Sequence, residues 1–422
     1  MLRRRFLKTL GGTLAAASAV SAIPLSARPT HHHKGGNLRK LLVIFQRGGN
    51  DSLNTLVPVD STEYARYAEY RPNLHIPQGQ LLSFNNTSFF GYHPSLAPLA
   101  DLIQAGKASF VHAVGYPSMT TSHFAGQAFW ETGDPHNRRG SGWLNRYLHA
   151  SSGPGAFRGL MVDGNTSQMM SGPFTVPVSR NFGGLNMPIP GNMSGSDNTR
   201  FREMVRDLAE DADYLGHDLL ERTTNGLLGM FDAFNDRNLN DYTPANNAEY
   251  PGGRFGDALK HAAQMLKENP SPLNVEAVMV NHPNYDHHKG QVAGSAVEGW
   301  HAGRLSELAN GIKAFTTDLG DAQMQDTLIL VVSEFGRTVR ENGSRGTDHG
   351  RAALAMLFGG TVTGRVINGE GAWPGLNGQF LNWNTDYRGL YWEILERHMG
   401  ASPDVIRQAI PNFTPQTVGA VG

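Results

Sequence analysis

Residues 327–332 constrain the fold most strongly, because they read Thr-Leu-Ile-Leu-Val-Val with no alternation of apolar and polar positions. A short apolar run of this kind, rich in β-branched residues, predicts a strand of a parallel sheet with helices on both faces. Similar runs occur at residues 40–45, 108–114 and 276–280. We therefore predict an α/β domain over residues 38–415 with a mostly parallel central sheet and helices on both faces.

Helical spacing of apolar residues is found between these runs, and it predicts helices at residues 94–105, 125–132, 255–266 and 299–319. Residues 153–255 differ from the rest of the chain in composition, because Gly, Pro, Asn and Met are frequent there. We predict an insertion or cap at about 153–255 with amphipathic helices within 201–234. Residues 416–422 are expected to form a tail.

Polar residues follow each predicted strand where it ends. They are Arg47 and Asp51 after the first strand, Ser122 after the second, Asp286 and His288 after the third, and Glu334, Arg337, Asp348 and His349 after the last. In open α/β sheets ligands bind at the carboxyl ends of the strands, so the recurrence predicts one composite site. The alternative for Glu334 is a solvated loop in which it pairs with Arg337 or Arg340.

Ser122 stands at the start of a predicted helix, and two interpretations are open for it. As a helix cap, its hydroxyl would accept hydrogen bonds from backbone N–H groups and contribute about 1 kcal/mol to the stability of the helix. As a nucleophile, it would attack a phosphorus or sulfur atom bound near the same helix end.

The first 27 residues predict an export signal. The sequence Arg3-Arg4-Arg5-Phe6-Leu7-Lys8 is a twin-arginine pattern, and an apolar stretch at residues 10–22 follows it. A stretch of 13 residues is too short to span a bilayer, which needs about 20. We expect the Tat translocase to export the chain to the periplasm or beyond, with cleavage after Ala22 or Ala27 and no integral membrane segment in the mature protein.

Residues 28–37 contain three consecutive histidines and are predicted to form a flexible mature N-terminus, although a metal-binding tract is the alternative.

Composition excludes several classes of protein. The signal holds four of the 36 Lys and Arg and none of the 37 acids, so the mature chain carries a charge of about −5. This negative net charge does not indicate a protein that binds nucleic acid. The chain has no cysteine, which leaves His and carboxylates as metal ligands. We expect one or two divalent ions, with Zn, Mg, Mn and Ca all open.

Five short motifs resemble those of a bacterial family catalogued as domain of unknown function 1501 (DUF1501), whose members often carry Tat signals. The family patterns are Arg-Gly-Gly-x-Asp, Ser-His-Phe, Asp-x-His, Ser-Glu-Phe-Gly-Arg and Gly-Thr-Asp-His-Gly, and they stand here at residues 47–51, 122–124, 286–288, 333–337 and 346–350. This family is in turn similar to the alkaline phosphatase and sulfatase superfamily.

That resemblance implies roles for individual residues. Asp51 would match the first metal aspartate, Ser122 the nucleophile, Asp286 and His288 the ligands of one metal, and His349 the late histidine. Glu334 and Phe335 stand where the superfamily has Asp-His, so Asp348 becomes a candidate for the missing ligand. Arg47 and Arg337 would clamp the anion through their forked donors.

The resulting hypothesis is an exported metal-dependent hydrolase that acts on a phosphate or sulfate ester of a small molecule or glycan. Ser122 would attack in line, or a water activated by the metal would attack directly. The contrary hypothesis is an exported binding or assembly protein that keeps a degenerate phosphatase-like fold without turnover.

Overall fold

A computed structural model describes residues 38–153, 157–181, 200–208, 224, 228–229, 242–268 and 274–422. The predicted signal peptide, the mature N-terminus at 28–37 and most of the helical stretch predicted at 201–234 lie outside these residues.

A central mixed sheet confirms the predicted fold class. Within the described residues it has nine strands, which are β1 (Lys40–Gln46), β5 (Ala108–Gly115), β6 (Gly159–Val162), β7 (Val178–Ser179), β8 (Ala277–His282), β9 (Thr327–Ser333), β10 (Ala353–Gly359), β11 (Val366–Ile367) and β12 (Thr385–Asp386). Their order in the sheet is β11-β5-β10-β9-β1-β8-β6-β7, with β12 also paired to β5. A second sheet of three short strands contains β2 (Leu56–Pro58), β3 (Leu82–Ser83) and β4 (Phe90–Tyr92).

Strand direction brings four carboxyl ends to one edge of the central sheet. β1 is parallel to both β8 and β9, whereas β10 is antiparallel to both β9 and β5. Because β5 and β9 are both antiparallel to β10, they run in the same direction as each other. The loops that follow β1, β5, β8 and β9 therefore leave from the same edge.

The core lies on both faces of this sheet, as the apolar runs predict. In β1, Leu42 and Ile44 belong to one buried cluster, while Leu41, Val43 and Phe45 belong to another on the opposite face. Period-two alternation of side chains along a strand explains this division. A strand buried on both faces needs the continuous apolar run that the sequence shows.

The helices cover the sheet and include those predicted at 125–132, 255–266 and 299–319. They are α1 (Ser52–Thr55), α2 (Ser61–Tyr70), α3 (Ala100–Gln104), α4 (His123–Thr132), α5 (Trp143–Ala150), α6 (Arg254–Glu268), α7 (Trp300–Met324), α8 (Tyr387–Glu393) and α9 (Pro403–Ala409). The helix predicted at 94–105 begins with a 3₁₀ segment, Pro94–Leu99, before α3. Among the helices described, none combines the length and apolar character needed to cross a membrane.

The N-terminal part of the predicted insertion belongs to the central sheet. β6 is parallel to β8, and Met161 of β6 also pairs with Val178 of β7. All four residues of β6 are buried. The run Gly-Leu-Met-Val is short and lies in a segment rich in Gly and polar residues, so its pattern did not separate it from the insertion. The predicted insertion at 153–255 therefore contributes two strands, β6 and β7, to the central sheet.

Candidate metal centre

Four side chains converge on one point at the carboxyl edge of the sheet. The Oδ1 atom of Asp286 lies 3.0 Å from His288 Nε2, 3.2 Å from His349 Nε2 and 3.4 Å from His123 Nε2. The Nε2 atoms of His288 and His349 are 2.9 Å apart. Candidate ligand atoms of His123, Asp286 and His349 all lie within 4.8 Å of one another.

Each of the three imidazole rings is oriented by a bond at its other nitrogen. His349 Nδ1 lies 2.7 Å from the carbonyl oxygen of Thr121, which can only accept a hydrogen bond. His288 Nδ1 lies 2.9 Å from Asp348 Oδ1, and His123 Nδ1 lies 2.8 Å from Glu334 Oε1. All three Nδ1 atoms therefore carry a proton, and in the neutral ring each Nε2 presents a lone pair.

These lone pairs and the Asp286 oxygen are all acceptors, so they repel one another unless a proton or a cation lies among them. Ligand atoms of a tetrahedral ion with metal–nitrogen bonds of about 2.05 Å lie about 3.3 Å apart. The Asp286 oxygen lies at comparable distances, 3.2 Å and 3.4 Å, from the Nε2 atoms of His349 and His123. Metal-bound histidines generally donate their second N–H to a carboxylate or a backbone carbonyl, as all three do here. The donor set therefore fits a divalent metal ion.

Glu334 supports His123 from beneath the cluster. The residue is fully buried, and its Oε1 accepts hydrogen bonds from His123 Nδ1 at 2.8 Å, from the Gly48 N–H at 2.8 Å and from Gln127 Nε2 at 3.1 Å. Burial alone would raise the pKa of Glu334, but these donors outweigh it and hold the pKa below its usual range. The hydrogen bond that His123 donates to Glu334 in turn raises the pKa of His123. Glu334 is thus an ionised acceptor that orients His123.

Two glycines allow the loop after β1 to approach this centre closely. Gly48 has φ +114°, and a Cβ there would lie 2.6 Å from the backbone nitrogen of Asp286. Gly49 has φ +77°, and its Cβ would lie 2.5 Å from the Phe335 ring. A side chain at either position would push the loop away from Asp286 and Glu334, and the left-handed backbone favours glycine as well.

Arg337 fixes the carboxylate of Asp286. Its NH2 group donates to Asp286 Oδ1 at 2.8 Å, and the arginine is almost fully buried. Burial tends to raise the pKa of Asp286, but the hydrogen bond and charge of Arg337 lower it overall. Arg337 Nε and NH1 are buried and have no hydrogen-bond partner among the residues that the structure describes. Because its NH2 donates to Asp286, Arg337 holds in place a side chain that is a candidate metal ligand.

Asp348 and His349 reach the centre on a loop that folds back against Arg337. Residues Arg337 and His349 form an antiparallel bridge, and Thr338 N donates to Asp348 O at 3.0 Å. The hydrogen bond from His288 lowers the pKa of Asp348. Burial lowers the pKa of His349, which favours its neutral form. Asp348 therefore lies behind His288, whereas His349 contributes its Nε2 directly.

Asp51 lies deeper and outside the group of converging atoms. It is 1% exposed, and its Oδ2 accepts from Arg71 NH1 at 2.7 Å and from Gln291 Nε2 at 2.5 Å. Burial would raise the pKa of Asp51, but the charge of Arg71 holds it below its usual range. Arg71 also donates to Thr338 O at 2.7 Å. Asp51 thus ties the loop after β1 to the loop that carries His349.

Ser122 and Arg47 flank the cluster without belonging to it. Ser122 precedes α4, is exposed, and its side chain accepts no capping hydrogen bond from the first turn of that helix. Arg47 NH2 pairs with Glu131, and its Nε donates to Asn281 Oδ1 at 2.8 Å. The roles predicted for both residues remain predictions.

The structure adds His123 to the residues selected from the sequence and assigns Phe335 a packing role. The Phe335 ring is fully buried, with its centroid 4.8 Å from that of His123 and 5.1 Å from that of His349. A flat apolar surface under two imidazoles restricts their rotation. His123 directly follows Ser122 in the Ser-His-Phe motif. The motif therefore already contains this candidate ligand, next to the serine that was selected from it.

The fold and this cluster define an α/β protein with a candidate metal centre at the carboxyl edge of a mostly parallel sheet. Residues 249–397 match the model of a family described as "Protein of unknown function (DUF1501)", which confirms the family resemblance over this segment. The matched segment includes Asp286, His288, Glu334 and His349. No curated protein matches the sequence.

Solved structures show only remote likeness. The C-terminal periplasmic domain of EcEptC from Escherichia coli, in complex with Zn, shares 11% identity over 77% of this chain and 74% of that chain, with a TM-score of 0.30. The soluble domain of lipooligosaccharide phosphoethanolamine transferase A from Neisseria meningitidis shares 11% over 77% and 78%, with a TM-score of 0.28. The corresponding integral membrane protein also shares 11%, over 78% of this chain and 49% of that protein, with a TM-score of 0.28. Scores of this size carry no argument about activity.

Proposed function

We propose that the protein is an exported metal-dependent hydrolase of a phosphate or sulfate ester. The observation that carries this proposal is the convergence of three histidine Nε2 atoms on Asp286 Oδ1, with every Nδ1 held by an oxygen. Preorganised ligands of this kind are costly to keep without an ion, because their lone pairs oppose one another. Export is proposed from the twin-arginine pattern at residues 3–8.

The donor chemistry favours zinc among the ions left open by the sequence. Imidazole nitrogens combined with a carboxylate suit Zn²⁺, whereas Mg²⁺ and Ca²⁺ prefer sites made of oxygen atoms. His123, Asp286 and His349 would hold the ion with His288 beside them, and Glu334, Asp348 and the Thr121 carbonyl would orient the rings.

Exposure of the ligands separates a catalytic centre from a structural one. The side chains of Asp286 and His288 are 44% and 43% exposed, and those of His123 and His349 are 22% and 26% exposed. Structural zinc sites have four protein ligands and are closed, whereas catalytic sites have three and leave a fourth position for water or substrate. The group of His123, Asp286 and His349 would leave such a position. A bound divalent ion would supply Lewis-acid polarisation of the ester group. The chain itself would position that group, with the Ser122 hydroxyl at the adjacent start of α4 as the nucleophile.

Two measurements test the proposal on purified mature protein. The first is metal content by elemental analysis, for which we expect close to one zinc per chain. The second is turnover on matched aryl phosphate, phosphodiester and aryl sulfate substrates before and after removal of the metal with a chelator. Turnover that disappears with the metal and returns with zinc supports the hydrolase. A zinc-loaded protein that hydrolyses none of these esters would favour the exported binding protein instead.

A further inference from the structure

Phe124 is the most exposed large apolar side chain that the structure describes. It is 91% exposed, whereas Trp300 and Met204 are 64% and 43% exposed. Single exposed apolar residues are common on protein surfaces, so exposure alone does not define a site. Burial of a phenylalanine side chain contributes about 1.5–3 kcal/mol, and a ring left in water keeps that free energy available for a ligand. The place of Phe124 in the fold decides which ligand this is.

Phe124 is joined to the metal centre through the start of α4. It directly follows His123, so the two Cα atoms lie about 3.8 Å apart, and His123 Nε2 is 3.4 Å from Asp286 Oδ1. The carbonyl of Thr121 accepts a hydrogen bond from His349 Nδ1 at 2.7 Å. Side chains of an α-helix tilt towards its N-terminus. The Phe124 side chain therefore leans towards the helix end that meets the centre.

The face of α4 that carries Phe124 contacts the loops of the site. Phe124, Gln127 and Glu131 stand at positions i, i+3 and i+7, so they share one face of the helix. Gln127 Nε2 donates to Glu334 Oε1 at 3.1 Å, and Glu131 pairs with Arg47. The inner turns of this face are thus bonded to the loops after β9 and β1. The first turn presents Phe124 to solvent above them.

The chemistry of the ring determines what it can bind. A phenyl ring has no hydrogen-bond donor or acceptor, so it stabilises an apolar group and gives nothing to a strongly polar one. An ester whose anionic group lies beside His123 would carry its alcohol part out of the centre. We propose that Phe124 binds an apolar alcohol part, so that the protein prefers aryl and other apolar esters of phosphate or sulfate. This inference rests on the proposed function and specifies its substrate class.

Calorimetric titration of the zinc-loaded mature protein tests the inference without turnover. The probes are phenylphosphonate, methylphosphonate and inorganic phosphate, with benzenesulfonate, methanesulfonate and inorganic sulfate as the sulfur counterparts. A P–C or S–C bond replaces the ester bond in the organic probes, so they bind without being consumed. We expect the wild type to bind a phenyl probe about fivefold more tightly than the methyl probe of the same anion, which is the scale of one aromatic contact.

Variants of Phe124 test whether the ring causes this preference. Phe124→Ala should raise the Kd of the phenyl probe about fivefold, to that of the methyl probe, and leave the Kd of the inorganic anion unchanged. The fold should be retained, because alanine is the better helix former. Phe124→Tyr keeps the aromatic face and should keep most of the preference. Trp300→Ala is the matched control, since it removes an exposed aromatic side chain from a different helix, α7.

The outcomes separate this inference from the proposed function. Equal affinities of the wild type for the phenyl and methyl probes, or an equal loss for both in Phe124→Ala, would overturn the apolar subsite while anion binding at the centre stands. A zinc-loaded protein that binds none of the probes, inorganic anions included, would refute the proposed function and the inference with it. A wild-type dimer that dissociates in Phe124→Ala, as measured by sedimentation, would assign the ring to a contact between copies and overturn the inference.

Discussion

His288 Nε2 lies 2.9 Å from His349 Nε2, although both rings already donate through Nδ1, the first to Asp348 and the second to the Thr121 carbonyl. Two neutral imidazoles held in this way direct their lone pairs at each other. A cation bound beside the two nitrogens would attract both lone pairs and offset this repulsion. The orienting oxygens therefore preorganise the pair for a metal ion, at the cost of stability in its absence.

Removal of one ligand should remove most of the metal. We expect His123→Ala, His349→Ala and Asp286→Ala each to weaken zinc binding by tenfold or more, and to lower Tm in zinc-containing buffer because binding to the native state adds stability by mass action. Elemental analysis and chelator competition measure the affinity, and calorimetry measures Tm. His136→Ala is the control, since His136 is exposed and outside the cluster. Full zinc content in all three ligand variants would place the metal elsewhere.

The sheet could be predicted from the sequence because a strand buried on both faces leaves a continuous apolar run. Apolar runs of this kind predict four strands, β1, β5, β8 and β9. In the structure β9 is parallel to β1 and lies beside it, as the parallel α/β interpretation requires. β6 was not visible, because four residues of mixed type carry little pattern. The strand that reverses direction, β10, is as apolar as its neighbours, and apolar character does not encode direction.

The site could be predicted only as a set of positions. Asp286, His288 and His349 do meet, because the loops that carry them leave one edge of the sheet. Glu334 could not be recognised as an acceptor for His123, since this depends on the Gly48 N–H and on burial that only the packed loops create. Asp51 likewise has its partner Arg71 on a different element, at the end of α2.

Glu334 tests whether a residue that orients the ligand His123, without binding the metal itself, affects zinc affinity. Glu334→Gln keeps the size of the side chain but removes the charge that orients the His123 Nδ1–H group, so zinc affinity should fall by about 10- to 100-fold with the fold retained. Chelator competition measures the affinity, and circular dichroism checks the fold. Glu341→Gln is a suitable control, because Glu341 accepts from Asn73 away from the cluster. An unchanged zinc affinity in Glu334→Gln would show that the His123–Glu334 pair has no part in binding.

Export can be tested independently of the site. Replacing Arg3 and Arg4 by Lys retains the positive charge but removes the pair that the Tat receptor reads. We expect the precursor to accumulate in the cytoplasm, as detected by fractionation and immunoblotting. Replacing Arg28 by Lys, just beyond the predicted cleavage region, serves as the control. Normal processing of the double variant would refute the Tat assignment.

Stability should fall in acid partly because of a buried histidine far from the metal centre. His398 Nε2 lies 2.9 Å from the Lys40 carbonyl and its Nδ1 lies 2.9 Å from Thr361 Oγ1, so the neutral ring is satisfied at both nitrogens. Burial lowers the pKa of His398 to about 4, from about 6.5 in the unfolded chain. The unfolded state therefore binds the extra proton between pH 6.5 and 4. Stability is present above this window and is lost as the pH falls through it.

Urea unfolding at several pH values measures the effect. In the wild type, His398 should contribute a slope of about 1 kcal/mol per pH unit between pH 6 and 4.5. His398→Gln, which cannot take up a proton, should show a shallower slope by that amount and lower stability at pH 7. Identical slopes in the two proteins would mean that His398 is protonated equally in both states.

Ser122→Ala separates a nucleophile from a helix cap, and Asp60→Ala supplies the comparison. Asp60 caps α2 through bonds from Thr62 N and Glu63 N at 3.0 and 3.2 Å, whereas the Ser122 side chain makes no such bond to α4. Loss of a real cap costs about 1 kcal/mol of unfolding free energy, so Asp60→Ala should show this cost. Ser122→Ala should cost less than about 0.5 kcal/mol, as surface substitutions do.

Turnover should respond in the opposite order, because a methyl group cannot form a covalent intermediate with the ester. We expect Ser122→Ala to retain zinc and fold but to lose turnover on the order of a thousandfold, and Asp60→Ala to keep normal turnover. Ester hydrolysis by zinc-loaded proteins, measured beside urea unfolding, gives both quantities. If Ser122→Ala hydrolyses the ester at the wild-type rate, a water molecule makes the attack and Ser122 is not the nucleophile.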